Sequence, residues 1–332
     1  MPNDEMPGTS SSTFVLRHFN LRILTMKETE VPAPHFDLEM TLNSGQVFHW
    51  EKVGAGFYGT IEDRATYVEQ RGASLRVATE GGAVRRDDKR GVVNSAPGSR
   101  ELAPPVSELV RHYFALDHRL DEICASFPRD PAMNAARDFC RGLRIIRQPK
   151  WECLATFICS SMKQVAHIRQ ISRSLRERFG EKKEICGYEV FSFPSADRFA
   201  EASENELRKC GLGYRAKNLL ATAKRVALRE AALDSWSALP DGELREQLCH
   251  LPGVGAKVAN CVMLFGYERV KAFPIDVWIE RVLREKYFPR KRKVTSASLA
   301  EFAANYFGGH GGYAQQYLFH HARMTGRSRR KA

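Results

Sequence analysis

The feature that most constrains the fold of this chain is a pair of closely spaced glycines in an otherwise apolar stretch. The stretch reads LPGVGAKVANCVMLFG over residues 251–266. A leucine-striped helix that Asp241 would cap precedes it, and Pro252 cannot continue that helix. Gly253 and Gly255 allow backbone angles and close approaches that a side chain would forbid. The stretch therefore predicts two helices joined by a tight hairpin.

The start of the second helix offers unpaired backbone amides. Its first N–H groups have no partner within the helix and lie at the positive end of the helix dipole, so they suit an anion such as phosphate. The net charge of +12 and the pI of about 9.4 attract polyanions. We expect the hairpin to bind a DNA backbone without reading its sequence; a helix corner with no ligand is the alternative. The hairpin residues concerned are Gly253, Val254, Gly255 and Val258.

Two charged residues, Lys257 and Asp276, stand in unusual surroundings. Lys257 lies in the first turn of the second helix, where the dipole and partial burial favour a neutral amine that can attack an electrophilic carbon. Asp276 lies in the run FPIDVW and precedes a helical pattern, so it is a natural N-cap. A rigidly held carboxylate can also accept a proton or stabilise developing positive charge. The alternatives are a lysine that only contacts phosphate and an aspartate that only caps.

The chain changes character along its length. Hydrophobic residues make up 43% and charged residues 27%, as in soluble globular proteins, and no segment is long and apolar enough to span a membrane. Residues 36–80 favour strands, with a polar turn inside GFYGTIEDRATYVEQRG, and later segments favour helices with short joints. We predict an α+β protein with an N-terminal antiparallel β-sheet domain and a larger all-helical domain. The predicted parts are a disordered tail at 1–20, a β-rich domain at 21–130, a helical domain at 131–325 and a basic tail at 326–332.

An earlier segment repeats the layout of the glycine hairpin. LRKCGLGYRAKNLLATAKRV (207–226) also has a glycine-x-glycine joint between two helical patterns, and Lys217 follows it as Lys257 follows the other. The two segments are too short and too different for a solenoid repeat. They indicate two uses of one joint geometry.

These motifs together resemble one family. LPGVGAK followed by the aspartate of FPIDVW is similar to the helix–hairpin–helix DNA glycosylases, and most similar to the 8-oxoguanine DNA glycosylase/AP lyases of the eukaryotic type. The resemblance extends from about residue 36 to about residue 323. It implies that Lys257 attacks the sugar C1′ of a flipped nucleotide, displaces the oxidised base and forms an imine that permits β-elimination. Asp276 would stabilise the sugar cation and support proton movements.

The resemblance also implies a pocket for the flipped base. In LNSGQVFHW, the carbonyl of Gly45 would accept the N7–H that only the oxidised base carries. In GYAQQYLF, Gln315 would meet the Watson–Crick edge of the base, and Phe319 would stack on its face. Cys261, one helical turn beyond Lys257, would flank the other face. Outside this family, the same residues would be ordinary core and turn residues.

The residues that would contact the undamaged part of the duplex depart from the family pattern. In CGLGYRAKN, Tyr214 and Arg215 would supply the wedge that enters the DNA. After CSS, however, Met162 and His167 replace an asparagine and an arginine that contact the base opposite the lesion. Methionine donates no hydrogen bond, and histidine lacks the bidentate fork of arginine. We therefore predict relaxed discrimination among opposite bases. Trp278 also replaces a histidine, so one phosphate contact changes.

The expected chemistry requires no cofactor. The eight cysteines include no CxxC pair, which favours reduced thiols without a side-chain metal site. No cysteine follows Cys261, so the four-cysteine iron–sulfur cluster of related glycosylases is absent. The resemblance does imply one backbone site for a monovalent cation in the hairpin. Its ligands would be the carbonyls of Cys249, Leu251 and Val254.

The expected partner is double-stranded DNA that contains oxidised guanine, bound by a monomer without a membrane. The departures after CSS and the lack of a clear sorting signal favour a bacterial protein of the cytoplasm or nucleoid; a eukaryotic one would act in the nucleus. Two alternatives remain at this point. One is a hairpin protein that binds DNA without catalysis, and the other is a glycosylase for another damaged purine.

Overall fold

The protein consists of an N-terminal antiparallel sheet followed by a helical region. This architecture confirms the predicted α+β fold class. The structure, a computed structural model, describes residues 28–79, 104–160, 164–290 and 293–328. The expected tail at 1–20, Met162 and the end of the basic tail lie outside these residues. No helix among the described residues is long and apolar enough to cross a bilayer. The domain boundaries given above stay predictions.

The N-terminal sheet has five antiparallel strands, β1 (Thr29–Pro32), β2 (Glu51–Val53), β3 (Gly56–Ile61), β4 (Arg64–Arg71) and β5 (Ser74–Thr79). Their order in the sheet is β1–β5–β4–β3–β2. As predicted, the two β-prone runs around the polar turn pair with each other, as β3 and β4. The prediction of strands throughout 36–80 is wrong at α1 (Leu38–Asn43), because the Asp37 carboxylate accepts the Met40 N–H at 2.7 Å and caps a helix.

Helices form most of the remaining described chain. The expected break near SSMKQ separates α5 (Lys150–Ser160) from α6 (Val165–Phe179), and both helices of the glycine hairpin are present as α10 (Asp241–Cys249) and α11 (Ala256–Gly266). Asp241 is the first residue of α10 and Pro240 its N-cap, so the cap prediction at Asp241 is wrong. The helices are α2 (Val106–Tyr113), α3 (Leu120–Ala125), α4 (Pro131–Phe139), α5 (Lys150–Ser160), α6 (Val165–Phe179), α7 (Ala196–Ala200), α8 (Glu204–Leu207), α9 (Arg215–Ala227), α10 (Asp241–Cys249), α11 (Ala256–Gly266), α12 (Val277–Val282), α13 (Ser296–Tyr306) and α14 (Gly311–Ser328).

One β-hairpin, which the sequence patterns do not predict, interrupts the helical region. β6 (Lys182–Ile185) and β7 (Tyr188–Phe191) pair across a tight turn at Cys186 and Gly187, whose φ angles are 51° and 75°. Ile185 and Val190 bury their side chains against Tyr58, Ala65 and Ala78 of the N-terminal sheet. The hairpin therefore joins the two parts of the protein through an apolar contact.

A buried polar network joins the sheet to the helices at a second place. The Arg176 guanidinium on α6 forms an ion pair with Glu152 on α5 and donates to the Thr60 hydroxyl on β3 at 3.0 Å. The His49 Nε2 lies 2.9 Å from the Thr60 carbonyl, and its Nδ1 lies 3.4 Å from Glu152. Burial, followed by the Arg176 charge, lowers the pKa of His49 well below its ordinary value.

All eight cysteines lie among the described residues, none of them forms a disulfide, and most of them are buried. Desolvation is the largest cause of a raised pKa at each of the eight. These thiols remain protonated at neutral pH.

Candidate active site

Lys257 is held at the start of α11 by contacts with α5. Its Nζ donates to the Ser160 hydroxyl at 3.2 Å and lies 5.1 Å from the centre of the Phe157 ring. The Ser160 hydroxyl in turn donates to the Phe157 carbonyl at 2.7 Å. The side chain is half-buried, with the reach and partial exposure that a nucleophilic amine needs.

Asp276 caps α12 through Oδ1 of its carboxylate. Oδ1 accepts the N–H groups of Trp278 and Ile279 at 3.1 and 2.9 Å, as the N-cap prediction requires. Burial raises the pKa of the Asp276 carboxyl, whereas these N–H groups and the Lys257 charge oppose the shift. The cap fixes the orientation of a carboxylate that also interacts with the Lys257 charge.

Cys261 lies beside Lys257 in this cluster. Burial raises the pKa of its thiol to about 11, although the Lys257 charge and a hydrogen bond with that lysine oppose the shift. The Asp276 charge also acts on the thiol, so the three side chains share one site. At neutral pH the thiol is an uncharged, polarisable surface of the kind that packs against a ring.

The loop that contains Gly45 is fixed through the carbonyls on either side of that glycine. Arg323 donates to the Asn43 carbonyl, Gln316 to the Ser44 carbonyl at 3.2 Å, and Gln148 to the Gln46 carbonyl at 2.8 Å. Among the described residues, no donor is recorded for the carbonyl of Gly45 itself. The loop therefore presents one carbonyl to a ligand on a rigid frame.

Gly45 is the residue that allows α14 to approach this loop. Its φ of 92° suits glycine, and a Cβ there would lie 3.1 Å from the Phe319 ring and 2.9 Å from Arg323 Nη1. Gln315, one turn earlier on α14, is 4% exposed. In the described residues its buried Oε1 has no hydrogen-bond partner, an arrangement that costs free energy unless a ligand completes it.

α14 reaches the site because its second residue is also a glycine. A Cβ on Gly312 would lie 2.3 Å from the Leu264 side chain on α11 and 2.8 Å from the Val270 carbonyl. The Gly312 N–H donates to that carbonyl at 2.8 Å. This close approach sets α14, with Gln315 and Phe319, against the helix that carries Lys257 and Cys261.

Side chains of α9 contact the glycine hairpin and hold its backbone in place. Gly253 has a φ of 82°, and a Cβ there would lie 2.8 Å from the Asn218 side chain. The Thr222 hydroxyl donates to the Pro252 carbonyl at 2.9 Å, and Arg225 donates to the carbonyl of His250 at 3.0 Å. Both glycines of the hairpin are exposed, whereas Val254 and Val258 are buried, and the Val254 N–H donates to the Leu251 carbonyl at 3.1 Å. The turn therefore presents its two glycines to solvent.

Tyr214 and Arg215 occupy different environments. The Tyr214 side chain is 58% exposed at the start of α9, beyond Gly211 and Gly213, which both have positive φ angles. Arg215 is buried; its Nη1 donates to the Leu212 carbonyl at 3.2 Å, and its guanidinium lies 4.4 Å from the Tyr214 ring centre. The arginine supports an aromatic side chain that projects outward.

The remaining predicted contacts lie around this site. His167 is exposed in the first turn of α6, and Met162 lies outside the described residues. Trp278 is half-buried, and its ring lies 3.1 Å from where a Cβ on Gly326 would be. The Arg281 guanidinium lies 5.5 Å from the centre of the Trp278 ring, so an aromatic–cation pair stands where the family has a histidine.

Two residues of the site were not predicted from the sequence. Ser160 is the first serine of the CSS motif, and Arg323 follows Phe319 by one helical turn. Helical spacing indicates that Arg323 and Phe319 share a face, which is a signal that the sequence does contain. No sequence signal connects Ser160 to Lys257, because the contact joins two distant segments.

Two family models match adjacent parts of the chain. Residues 27–154 match the model described as "8-oxoguanine DNA glycosylase, N-terminal domain", and residues 155–305 match "HhH-GPD superfamily base excision DNA repair protein". The second match contains the glycine hairpin, Lys257 and Asp276. The fold and the site thus define a base-excision protein of the helix–hairpin–helix class.

Individual relatives narrow this class. The "N-glycosylase/DNA lyase OGG1" of Arabidopsis thaliana is 31% identical over 89% of this chain and 78% of its own length. A solved structure of MBOgg1 in complex with a low-affinity DNA ligand is 30% identical, covers 90% of this chain and 96% of that one, and has a TM-score of 0.79. The Clostridium acetobutylicum 8-oxoguanine glycosylase/lyase, solved with double-stranded DNA containing cytosine opposite 8-oxoG, is 27% identical over 91% of this chain and 98% of its own, with a TM-score of 0.77. The chain therefore belongs to the 8-oxoguanine DNA glycosylase family of the HhH-GPD superfamily.

Proposed function

We propose that this protein removes 8-oxoguanine from duplex DNA and then cleaves the strand at the resulting site by its lyase activity. The observation that carries the proposal is the cluster of Lys257 and Cys261 on α11 with Asp276 at the N-cap of α12, beside the glycine hairpin. Family membership and the N-glycosylase/DNA lyase names of the relatives support it.

The first step is base removal. The neutral Lys257 amine attacks C1′ of the flipped nucleotide while the bond from C1′ to the base nitrogen breaks and its electron pair leaves with the base, which takes up a proton. The Asp276 carboxylate stabilises the positive charge that develops on the sugar. The sugar ring then opens as the amine loses its proton, leaving an imine between Lys257 and C1′. Loss of a C2′ proton and of the 3′ phosphate completes the β-elimination.

The base pocket supplies the selectivity for this step. The Gly45 carbonyl is positioned to accept the N7–H that 8-oxoguanine has and guanine lacks. Gln315 contributes its buried amide, whose Oε1 gains a donor when the base enters. Phe319 and Cys261 are the residues that would sandwich the ring.

The proposed partner is a DNA duplex bound by one copy of the protein. The exposed amides of Gly253 and Gly255 and the positive end of α11 contact phosphate, and Tyr214 fills the space left by the flipped nucleotide. The net charge of +12 adds a salt-dependent attraction that is independent of sequence.

No cofactor takes part in the proposed steps, although the hairpin carbonyls fit a monovalent cation. The carbonyls of His250 and Pro252 already accept hydrogen bonds from the Arg225 and Thr222 side chains. In the described residues no donor is recorded for those of Cys249 and Val254, and the Leu251 carbonyl accepts only the Val254 N–H, at 3.1 Å. Carbonyl oxygens suit such an ion, which would stiffen the turn and add positive charge near the phosphate.

Borohydride trapping tests the proposal directly. A labelled duplex with one 8-oxoguanine opposite cytosine is incubated with the native protein, with Lys257→Gln and with Lys217→Gln. Lys217 is the matched control, because it follows the similar joint at the start of α9. We expect a covalent adduct with the native protein and with Lys217→Gln, but none with Lys257→Gln. Binding of the duplex without adduct or base release would exclude the catalytic function.

A further inference from the structure

Arg323 is a buried cation at the wall of the proposed base pocket. It lies one turn beyond Phe319 on α14 and is 4% exposed. Its guanidinium carbon is 5.4 Å from the centre of the Phe319 ring, and its Nη1 is 2.9 Å from where a Cβ on Gly45 would be. One side chain therefore lies beside both Phe319, on which the base would stack, and Gly45, whose carbonyl the base would meet.

The same guanidinium holds the loop that presents the Gly45 carbonyl. Its Nη2 donates to the Asn43 carbonyl and lies 3.3 Å from His320 Nδ1. A second arginine, Arg169 on α6, donates to the Asn43 side-chain oxygen at 2.7 Å. Both arginines fix Asn43, but the structure records contacts with Gly45 and Phe319 only for Arg323.

The chemistry of the five-membered ring of the base matches this arrangement. Guanine has an acceptor at N7 and a C–H at C8, whereas 8-oxoguanine has an N7–H donor beside a C8 carbonyl oxygen. The protein offers the complementary pair, because the Gly45 carbonyl accepts and the neighbouring guanidinium carries positive charge and N–H donors. A charge-assisted contact in a buried pocket is stronger than a neutral one.

We propose that Arg323 is a specificity-determining residue whose charge stabilises the C8 oxygen of the oxidised base. This proposal rests on the proposed function, because it states which atom of the 8-oxoguanine substrate Arg323 contacts. The same charge disfavours purines that are themselves cationic, such as N7-alkylated guanine. Selectivity then comes from two groups, the Gly45 carbonyl for N7–H and Arg323 for the adjacent oxygen.

The test compares binding to three duplexes that differ only at one nucleotide. One carries 8-oxoguanine on a 2′-fluorinated sugar that resists cleavage, one carries guanine on the same sugar, and one carries a tetrahydrofuran abasic analogue. The proteins are the native form, Arg323→Gln, Arg323→Lys and Arg169→Gln. Arg169→Gln is the matched control, because it weakens the hold on Asn43 without removing charge beside Gly45.

We expect Arg323→Gln to lose about ten- to a hundredfold in affinity for the 8-oxoguanine duplex and little for the abasic duplex. Arg323→Lys should recover part of the loss, because it keeps the charge without the planar fork. Arg169→Gln should change all three duplexes by a similar factor. Equal losses on the lesion and abasic duplexes with Arg323→Gln would overturn the proposal and leave Arg323 as a positioning residue.

A second measurement separates this proposal from the proposed function. If the native protein binds the 8-oxoguanine duplex no more tightly than the guanine duplex, the proposed function fails whatever Arg323 does. If Arg323→Gln does not fold, the comparison is made with Arg323→Lys and a duplex containing N7-methylguanine. A native protein that binds that cationic base as tightly as 8-oxoguanine would also overturn the role of the Arg323 charge.

Discussion

The Lys257 Nζ donates a hydrogen bond to the Ser160 hydroxyl at 3.2 Å, across a sequence separation of 97 residues. Because Ser160 donates its own proton to the Phe157 carbonyl, its oxygen lone pairs face the amine. The serine therefore orients Lys257 without competing for the electrophile, which makes it a positioning residue for the reaction.

Replacement of Ser160 by alanine should slow catalysis without preventing it. Loss of one hydrogen bond that orients the amine is worth about 1 kcal/mol, so we expect about a fivefold fall in kcat with KM little changed. Single-turnover excision and borohydride trapping measure this. Ser172→Ala, which removes another buried hydroxyl, on α6, is the control. A change in KM alone would contradict the positioning role.

Replacement of Asp276 by asparagine should keep the cap and remove the charge. The amide oxygen can still accept the Trp278 and Ile279 N–H groups, so the fold should persist while excision falls by about a hundredfold or more.

The pH dependence of the native protein provides an independent check on Asp276. Burial raises the pKa of this carboxyl above its ordinary value of 3.8, and catalysis needs the ionised form. The acid limb of the rate profile should therefore lie above pH 3.8 and be absent from the residual activity of Asp276→Asn. An unchanged acid limb in the variant would assign that limb to another group.

Tyr214 should matter for binding a distorted duplex more than for the chemistry. It is 58% exposed and supported by the buried Arg215, so Tyr214→Ala should remove the aromatic wedge without disturbing the core. We expect about a tenfold weaker binding of lesion duplex and a smaller fluorescence rise from 2-aminopurine beside the lesion. Leu228→Ala, at the exposed end of α9, should leave both unchanged. A fluorescence rise equal to that of the native protein would argue against the wedge.

The protein should discriminate only weakly among the four bases that can stand opposite the lesion. Met162 and His167 provide less direct hydrogen bonding than asparagine and arginine, so excision opposite cytosine and adenine should differ by less than about tenfold. The double variant Met162→Asn, His167→Arg should increase the cytosine preference. Excision rates with each of the four opposite bases measure this. A steep cytosine preference in the native protein would show that other residues read the opposite strand.

His49 should make the protein less stable in mild acid. Its pKa is lowered in the folded state, so below about pH 6.5 the unfolded chain binds a proton that the folded protein excludes. The free energy of unfolding should therefore fall as pH drops through this window, by at most about 1.4 kcal/mol per pH unit from this group. Urea unfolding at several pH values should show a shallower fall for His49→Gln. An identical pH slope would mean that other groups dominate.

Local patterns predicted the elements that depend on nearby residues. The glycine hairpin, the Asp276 cap and the β3–β4 pair follow from neighbours in the chain, and all three are present. α1 was misassigned because one capping side chain, Asp37, outweighs a mixed pattern. The β6–β7 hairpin was missed because only its packing against the distant sheet justifies a short pair of strands.

The site was predictable where the family motif covers it and unpredictable where tertiary contacts build it. The sequence indicates that Lys257 and Asp276 belong together, but neither Ser160 nor Arg323 carries a motif that points to its partner. Arg323 contacts the Asn43 carbonyl across 280 residues, a distance over which spacing gives no information. Such contacts arise from the packing of whole helices.

The protonated state of the cysteines has a consequence for a protein that acts on oxidised DNA. Peroxide attacks thiolates far faster than thiols, and desolvation raises the pKa of all eight cysteines, including Cys261 beside the nucleophile, which favours the thiol form. The protein should therefore stay active under the oxidative stress that generates its substrate. Its resistance to peroxide then comes from the same desolvation that shapes the site.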